Sequence, residues 1–249
     1  MHAALVLGLA LLVAPAPIRV LILTGHSDPA HDWRTTTPAI VKILEGSGGF
    51  TVKAAEDVNA LAAADLAAFD VLVLNYNGPR WAPPVERAIE EFVASGKGLL
   101  SLHGVTYGEF YGQRMVDGRW IAGDAGWPAY PKLIGAMWDP AKIGHGARHQ
   151  FKVKWVDRQH PVAKGAEESF VADDELYHRI TLLPDTRVLA SAYSAPATRG
   201  TGQDEPIIWT APFGKGRTIH LTLGHDVRAL GSGSVAAALV RSACWAAAN

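Results

Sequence analysis

Residues 70–104 read DVLVLNYNGPRWAPPVERAIEEFVASGKGLLSLHG, and this stretch decides the fold. Asp70-Val-Leu-Val-Leu-Asn75 is a short, uninterrupted apolar run bounded by polar residues, the pattern of a strand buried on both faces. Pro83-Pro84 opens a helix in which Val85, Ala88, Ile89, Phe92 and Val93 form one stripe, opposite Glu86, Arg87, Glu90 and Glu91, until Gly96 ends it. Lys97-Gly-Leu-Leu-Ser-Leu102 is then a second buried strand, so the stretch is a βαβ unit of a parallel sheet.

The same alternation extends upstream. Arg19 to Thr24 reads as a buried strand ending at Gly25. Thr37 and Pro38 supply an N-cap and a first helical position for a helix carrying Ile40, Val41, Ile43 and Leu44. Phe50 to Ala55 alternates as a strand, and Leu61 to Phe69 is Ala-rich and helical. Downstream, residues 104–127 show little periodicity and read as a long structured loop over a site. A helix over Tyr130 to Met137, strands at Phe151 to Val156, Thr186 to Ala192, Pro206 to Thr210 and Thr218 to Leu223, and a closing helix from Val235 to Ala248 complete the pattern. The fold class is α/β, with a mostly parallel central sheet between helices in one domain, residues 18–249.

Residues 1–17 read as a secretory signal, with an apolar run from Ala3 to Val13 and the small-residue cleavage pattern Ala14-Pro15-Ala16. The expected location is therefore periplasmic or secreted, with no membrane span, because that run is too short to cross a bilayer. The 23 basic and 24 acidic residues nearly cancel, so no net field favours nucleic acid, and a neutral small molecule is the better partner. Nothing in the sequence sets the oligomeric state. The single cysteine, Cys244, excludes an intrachain disulfide and reads as a small packed hydrophobe in the last helix.

Ligands of open parallel sheets bind beyond the carboxyl ends of the strands. Those exits carry Gly25-His26 with His31 and Trp33, then Asn75-Tyr76-Asn77, then His103-Gly104, and finally Gly224-His225-Asp226. Three of four exits offer histidine, a base, an acid or a metal ligand, although histidine also serves at strand ends as a plain hydrogen-bonding group. Asp173-Asp174-Glu175 beside Tyr177 and His178 is a cluster of carboxylates that a cation would relieve, or that a solvated turn would tolerate. The turn at Leu102-His103-Gly104 is like a nucleophile elbow, but it lifts a histidine where a hydrolase has serine or an amidotransferase cysteine. The aromatic residues Trp33, Tyr76, Trp81, Tyr107, Tyr111, Trp120 and Trp127 fall in exit loops or the long loop, where they could stack on a sugar ring or pack the loops together.

Five motifs in order carry a family resemblance. They are Gly25 through His31, Gly98 to Gly104, His160-Pro161 with Lys164-Gly165, Asp174-Glu175-Leu176-Tyr177, and Gly214 to Arg217 leading to Leu223-Gly224-His225-Asp226. Together, over roughly residues 18–248, they resemble the ThuA-like, or trehalose-utilisation, family. The resemblance implies a flavodoxin-like layered fold similar to class I glutamine amidotransferases, and a place in sugar catabolism, often after a glycoside has been oxidised to its 3-keto form. It puts His31, His103, Glu175 and His225 on the family's recurrent polar positions, with Asp174 as neighbour.

The expectation is an enzyme on a 3-keto sugar or 3-ketoglycoside, working by elimination with hydrolysis or by isomerisation. A divalent cation such as Zn, Mn, Fe or Ni would sit on His31, His103, His225 and Glu175. His103, Glu175, Asp174 and His31 are the catalytic candidates, and His26, Trp33, Asn75, Tyr76, Tyr107 and Tyr177 the substrate-binding candidates. The alternative is a non-catalytic sugar-binding or partner-docking module with the same pocket. A cysteine amidotransferase is disfavoured.

Overall fold

A computed structural model describes residues 16–123 and 125–248. The signal-peptide expectation lies almost wholly outside the described residues. Nine strands form the central sheet: β1 (Ile18–Leu23), β2 (Phe50–Ala55), β3 (Val71–Leu74), β4 (Gly98–Leu102), β5 (His149–Trp155), β6 (Ser169–Asp174), β7 (Arg187–Tyr193), β8 (Asp204–Phe213) and β9 (Gly216–Leu221). Their order across the sheet is β6-β5-β7-β8-β9-β4-β3-β1-β2. From β9 to β2 every neighbour is parallel, with registers such as Leu221 to Leu102 and Val73 to Leu100. The β8–β9, β7–β8, β5–β7 and β5–β6 pairs are antiparallel, so only β8 and β5 run against the other strands.

Side chains alternate through β1, and both of its faces are covered. Val20 and Ile22 pack against Ile40 and Leu44 of α1 (Trp33–Gly46) and Leu239 and Ala243 of α6 (Gly233–Ala247). Leu21 and Leu23 share the opposite core with Leu66 of α2 (Ala63–Leu66), Ile89 and Phe92 of α3 (Pro83–Ala94) and Leu133 of α4 (Tyr130–Ile134). One further short helix, α5 (Val227–Leu230), follows β9. The layered α/β architecture expected from the alternation is thus present. Among the described residues no helix is long and apolar enough to cross a membrane.

Several boundaries differ from the sequence reading. Helix α1 begins at Trp33, not at Pro38, because the Asp32 carboxylate accepts the Arg34 N–H (3.1 Å) and caps it earlier. Pro38 is tolerated inside because the carbonyl it leaves unpaired belongs to exposed Arg34. Thr37, the expected cap, instead bonds Thr24 (2.8 Å) and Asn75 (2.8 Å) in the interior. Strand β6 was not anticipated: Ser-Phe-Val-Ala-Asp-Asp carries charge at its end and lies at the sheet edge, where the apolar signal is weakest. The long loop contains a hairpin, Gln113–Val116 with Arg119–Ala122, turned by Asp117 (φ 47°) and Gly118 (φ 74°). Cys244 is exposed rather than packed, since it points away from the stripe of Val235, Leu239 and Ala243.

Candidate active site

The exits of β1, β4 and β9 converge, and their histidines meet. Ring centroids of His31 and His103 lie 5.0 Å apart, His31 and His225 4.7 Å, and His103 and His225 5.1 Å. One ligand atom from each of the three falls within 4.8 Å of the others. Parallel strands end on one rim, so residues far apart in sequence become neighbours there.

The His31 ring is fixed from behind. Its Nδ1–H donates to Asp28 (2.7 Å), whose second oxygen accepts the Tyr107 hydroxyl (2.9 Å). Burial pushes the Asp28 carboxyl up, but the bonds from His31 and Tyr107 more than offset this and hold it below the ordinary carboxylate value. The far nitrogen of His31, Nε2, is buried without a hydrogen-bond partner. Gly104 makes the approach possible: a Cβ there would stand 3.3 Å from the His31 ring.

His103 is held in the same way. Its backbone is left-handed (φ 40°), which lifts the side chain off the end of β4 at a cost of about 1–3 kcal/mol. Nδ1 donates to the Thr222 carbonyl (2.7 Å), so Nε2 of the neutral ring carries the lone pair. That atom faces His225 Nδ1 (3.2 Å) and the Tyr177 hydroxyl (2.9 Å), with the Tyr177 ring stacked at 4.5 Å. Burial, then repulsion from His31, presses His103 well below its ordinary pKa, and burial lowers His225 as well. A ring anchored through one nitrogen, as His31 is on Asp28 and His103 on Thr222, turns its other nitrogen to the cluster in the orientation a metal ligand needs.

Glu175 completes the group from the exit of β6. Its carboxylate lies 3.4 Å from His225 Nδ1, 3.8 Å from His103 Nε2 and 3.6 Å from His145 Nδ1. The three imidazoles, with the Glu175 carboxylate beside them, are a donor set that would suit a borderline divalent cation, and such an ion would give the orphaned His31 nitrogen a partner.

The other candidates divide. Trp33, Asn75 and Tyr76 line a narrow cleft beside the histidines that opens to solvent. The Asn75 amide is engaged by Thr36 (3.0 Å) and Thr37 (2.8 Å), and the Tyr76 hydroxyl by the Pro79 carbonyl (2.8 Å). His26 stands back from the cluster, its Nδ1 on the Asn77 carbonyl (2.8 Å). Tyr107 and Tyr177 flank the histidines as described. Asp174 does not face the cluster: it is fully buried, with its oxygens on the backbone N–H groups of Gly224 (2.7 Å) and Glu175 (2.8 Å), and burial pushes its pKa up to about 7. Trp81 and Trp127 interlock with Phe110 and Tyr130 and are buried, so they pack the long loop rather than meet a ligand. Ser101 bonds His220 (2.8 Å) beneath the rim, a pair too buried to meet a substrate.

Asp28, the Thr222 carbonyl and His145 were not singled out from the sequence. Asp28 stands three residues before His31, a spacing that carries a signal only once the ring is known to need an acceptor. The partner of His103 is a backbone atom, which no residue type announces.

The comparisons with known proteins agree with this architecture. A ThuA-like protein of Parabacteroides merdae superposes with a TM-score of 0.74 at 26% identity, covering 93% of this chain and 90% of its own. A second, from Bacteroides uniformis, gives 0.71 at 22% identity, with 96% and 95% covered. A β-galactosidase of Bacillus circulans shares the fold over 32% of its length, at a TM-score of 0.57 and 15% identity, covering 94% of this chain. Among curated proteins none matches. The ThuA family profile, described as trehalose utilisation, matches residues 19–246, so nearly the whole described chain belongs to the ThuA family, with a carbohydrate-related role.

Proposed function

We propose that the protein is a carbohydrate-catabolic enzyme acting on a 3-keto sugar or 3-ketoglycoside, with a divalent cation held by His31, His103 and His225 beside Glu175. The observation that carries this reading is the buried, partnerless Nε2 of His31, beside two further imidazoles whose pKa values burial lowers. A cation there would polarise the keto oxygen and offset the negative charge that gathers on it.

The chain's own residues have separable parts in this chemistry. Asp28 and the Thr222 carbonyl fix the ring nitrogens that face away from the cluster. Glu175 is the group placed to take the carbon-bound proton next to the carbonyl, or else to join the ligand set. The electron pair left by that proton moves to the carbonyl oxygen, then returns to expel the neighbouring glycosidic oxygen, which leaves as the alcohol after taking a proton. Burial raises Tyr107 and Tyr177 far above their ordinary pKa, so both phenols stay protonated; Tyr107 commits its proton to Asp28, and Tyr177, beside His103 Nε2, is the one that can turn to a substrate oxygen. Trp33 and Tyr76 offer apolar faces to the sugar along the cleft.

The test is elemental analysis of the purified protein, followed by conversion of a 3-keto-disaccharide with and without chelator. Chelation should abolish turnover and added metal restore it, and His103→Ala should lower metal content and rate together. Turnover that persists in excess chelator would leave acid and base catalysis alone. Absence of both metal uptake and turnover would overturn the reading in favour of a binding module.

A further inference from the structure

Glu175 and His225 meet although the sheet backbone does not bring them together. Their strands, β6 and β9, are separated by β5, β7 and β8. Something other than strand pairing must close that distance, and a set of side-chain cross-links does so. Asp174 accepts the N–H of Gly224, one residue before His225. Arg148, entering β5, donates through both terminal nitrogens to Asp226 (2.6 and 3.0 Å), one residue after His225. The same guanidinium reaches the Asp173 carboxylate (3.3 Å) and the Asp173 carbonyl (3.0 Å), two residues before Glu175. Asp226 in turn caps α5 by accepting from Ala229 (2.9 Å).

We infer that Arg148 is a positioning residue that stitches the β6 exit to the β9 exit and so sets the separation of Glu175 from His225. The inference rests on the proposed function. It gives the acidic triplet three distinct tasks. Asp173 anchors the guanidinium, which also explains its second partner, Arg228. Asp174 clamps the backbone, and Glu175 alone turns to the histidines. The hydrogen bonds of Arg148 go to Asp173 and Asp226 and not to the cluster side chains, and its planar fork is matched to Asp226 in a way that a lysine ammonium cannot reproduce. A neighbour of this kind typically governs affinity or rate by about 10–100-fold.

The experiment measures Zn²⁺ affinity by competition with a chromogenic chelator, together with amide hydrogen exchange, on the full chain and its variants. Arg148→Met should weaken Zn²⁺ binding at least tenfold and speed exchange in residues 222–228, while Arg148→Lys recovers part of both. In a His225→Ala background Arg148→Met should weaken Zn²⁺ little further, because it acts through that residue, whereas a merely structural role would give additive losses. Zn²⁺ affinity retained in Arg148→Met but lost in His103→Ala would overturn the stitch and leave the metal reading standing. If the parent binds no Zn²⁺, the metal reading fails instead, and the exchange rates alone decide the stitch: unchanged protection of residues 222–228 overturns it. Should Arg148→Met not fold, Arg148→Lys carries the same comparison, with parental affinity and exchange as the contrary result.

Discussion

Replacing Asp28 by Asn keeps the shape behind His31 but removes the charge and one of the two acceptor oxygens. The bond from His31 Nδ1 to Asp28 is 2.7 Å long, with side chains 11% and 9% exposed, so water screens it little. A hydrogen bond to a charged group is worth about 1.5–3 kcal/mol, and tenfold in affinity is about 1.4 kcal/mol. Asn can still accept from His31, but its amide N–H₂ would face the Tyr107 hydroxyl that Asp28 now satisfies, so one of the two bonds must reorganise. Asp28→Asn should therefore weaken Zn²⁺ binding by about 10–100-fold, with Tm lowered by only a few degrees. Chelator competition reads the affinity, and a thermal melt reads the fold. If Asp28→Asn and Asp28→Ala both bind Zn²⁺ within twofold of the parent, then Asp28 does not prepare His31 as a ligand and the carboxylate–histidine reasoning is wrong.

Glu175→Gln separates two roles: metal retained with turnover lost by at least 100-fold marks a base, whereas loss of both marks a ligand, as elemental analysis and rate will show. His220 is buried neutral, its pKa pushed by burial from 6.5 down to about 3. Between these values the unfolded chain binds a proton that the folded one does not, so stability is greatest above pH 6.5 and falls as pH drops toward 3. The loss is about 2 kcal/mol over the first two pH units, and His220→Gln should flatten the urea midpoint against pH by that amount; an unaltered slope would mean that His220 is not the group responsible. Cys244→Ser should leave turnover and Tm unchanged, since the thiol is exposed and far from the rim. Total loss of turnover in a folded Cys244→Ser protein would point to a thiol mechanism.

Much of this was legible in the chain, for physical reasons. Buried parallel strands such as Val71–Leu74 must be apolar on both faces, which makes them visible as runs, and the rule that sites lie at strand exits then singles out His31, His103 and His225. Glu175 was visible as a member of an acidic triplet, but the triplet alone does not say which carboxylate turns inward. That depends on β6, an edge strand too polar to recognise, and on backbone N–H groups that only the fold supplies to Asp174. The aromatic residues of the long loop were ambiguous because packing and stacking demand the same rings. Neighbouring rings resolve it for Trp81 and Trp127, which are enclosed by Phe110 and Tyr130.

Strand β9 lies in the interior of the sheet, between β4 and β8, yet among the nine sheet strands described it is the last to be synthesised. Until it arrives, β4 and β8 present bare edges to one another and to any other chain, a period of aggregation hazard that a chaperone would have to cover. The same delay bears on the proposed cation site. Thr222 and His225 are synthesised after every other member of the cluster, so the proposed site is incomplete until they are made. If the proposed cation binds, it would be captured only after the cluster has folded, because an unfolded chain holds no preformed site for it.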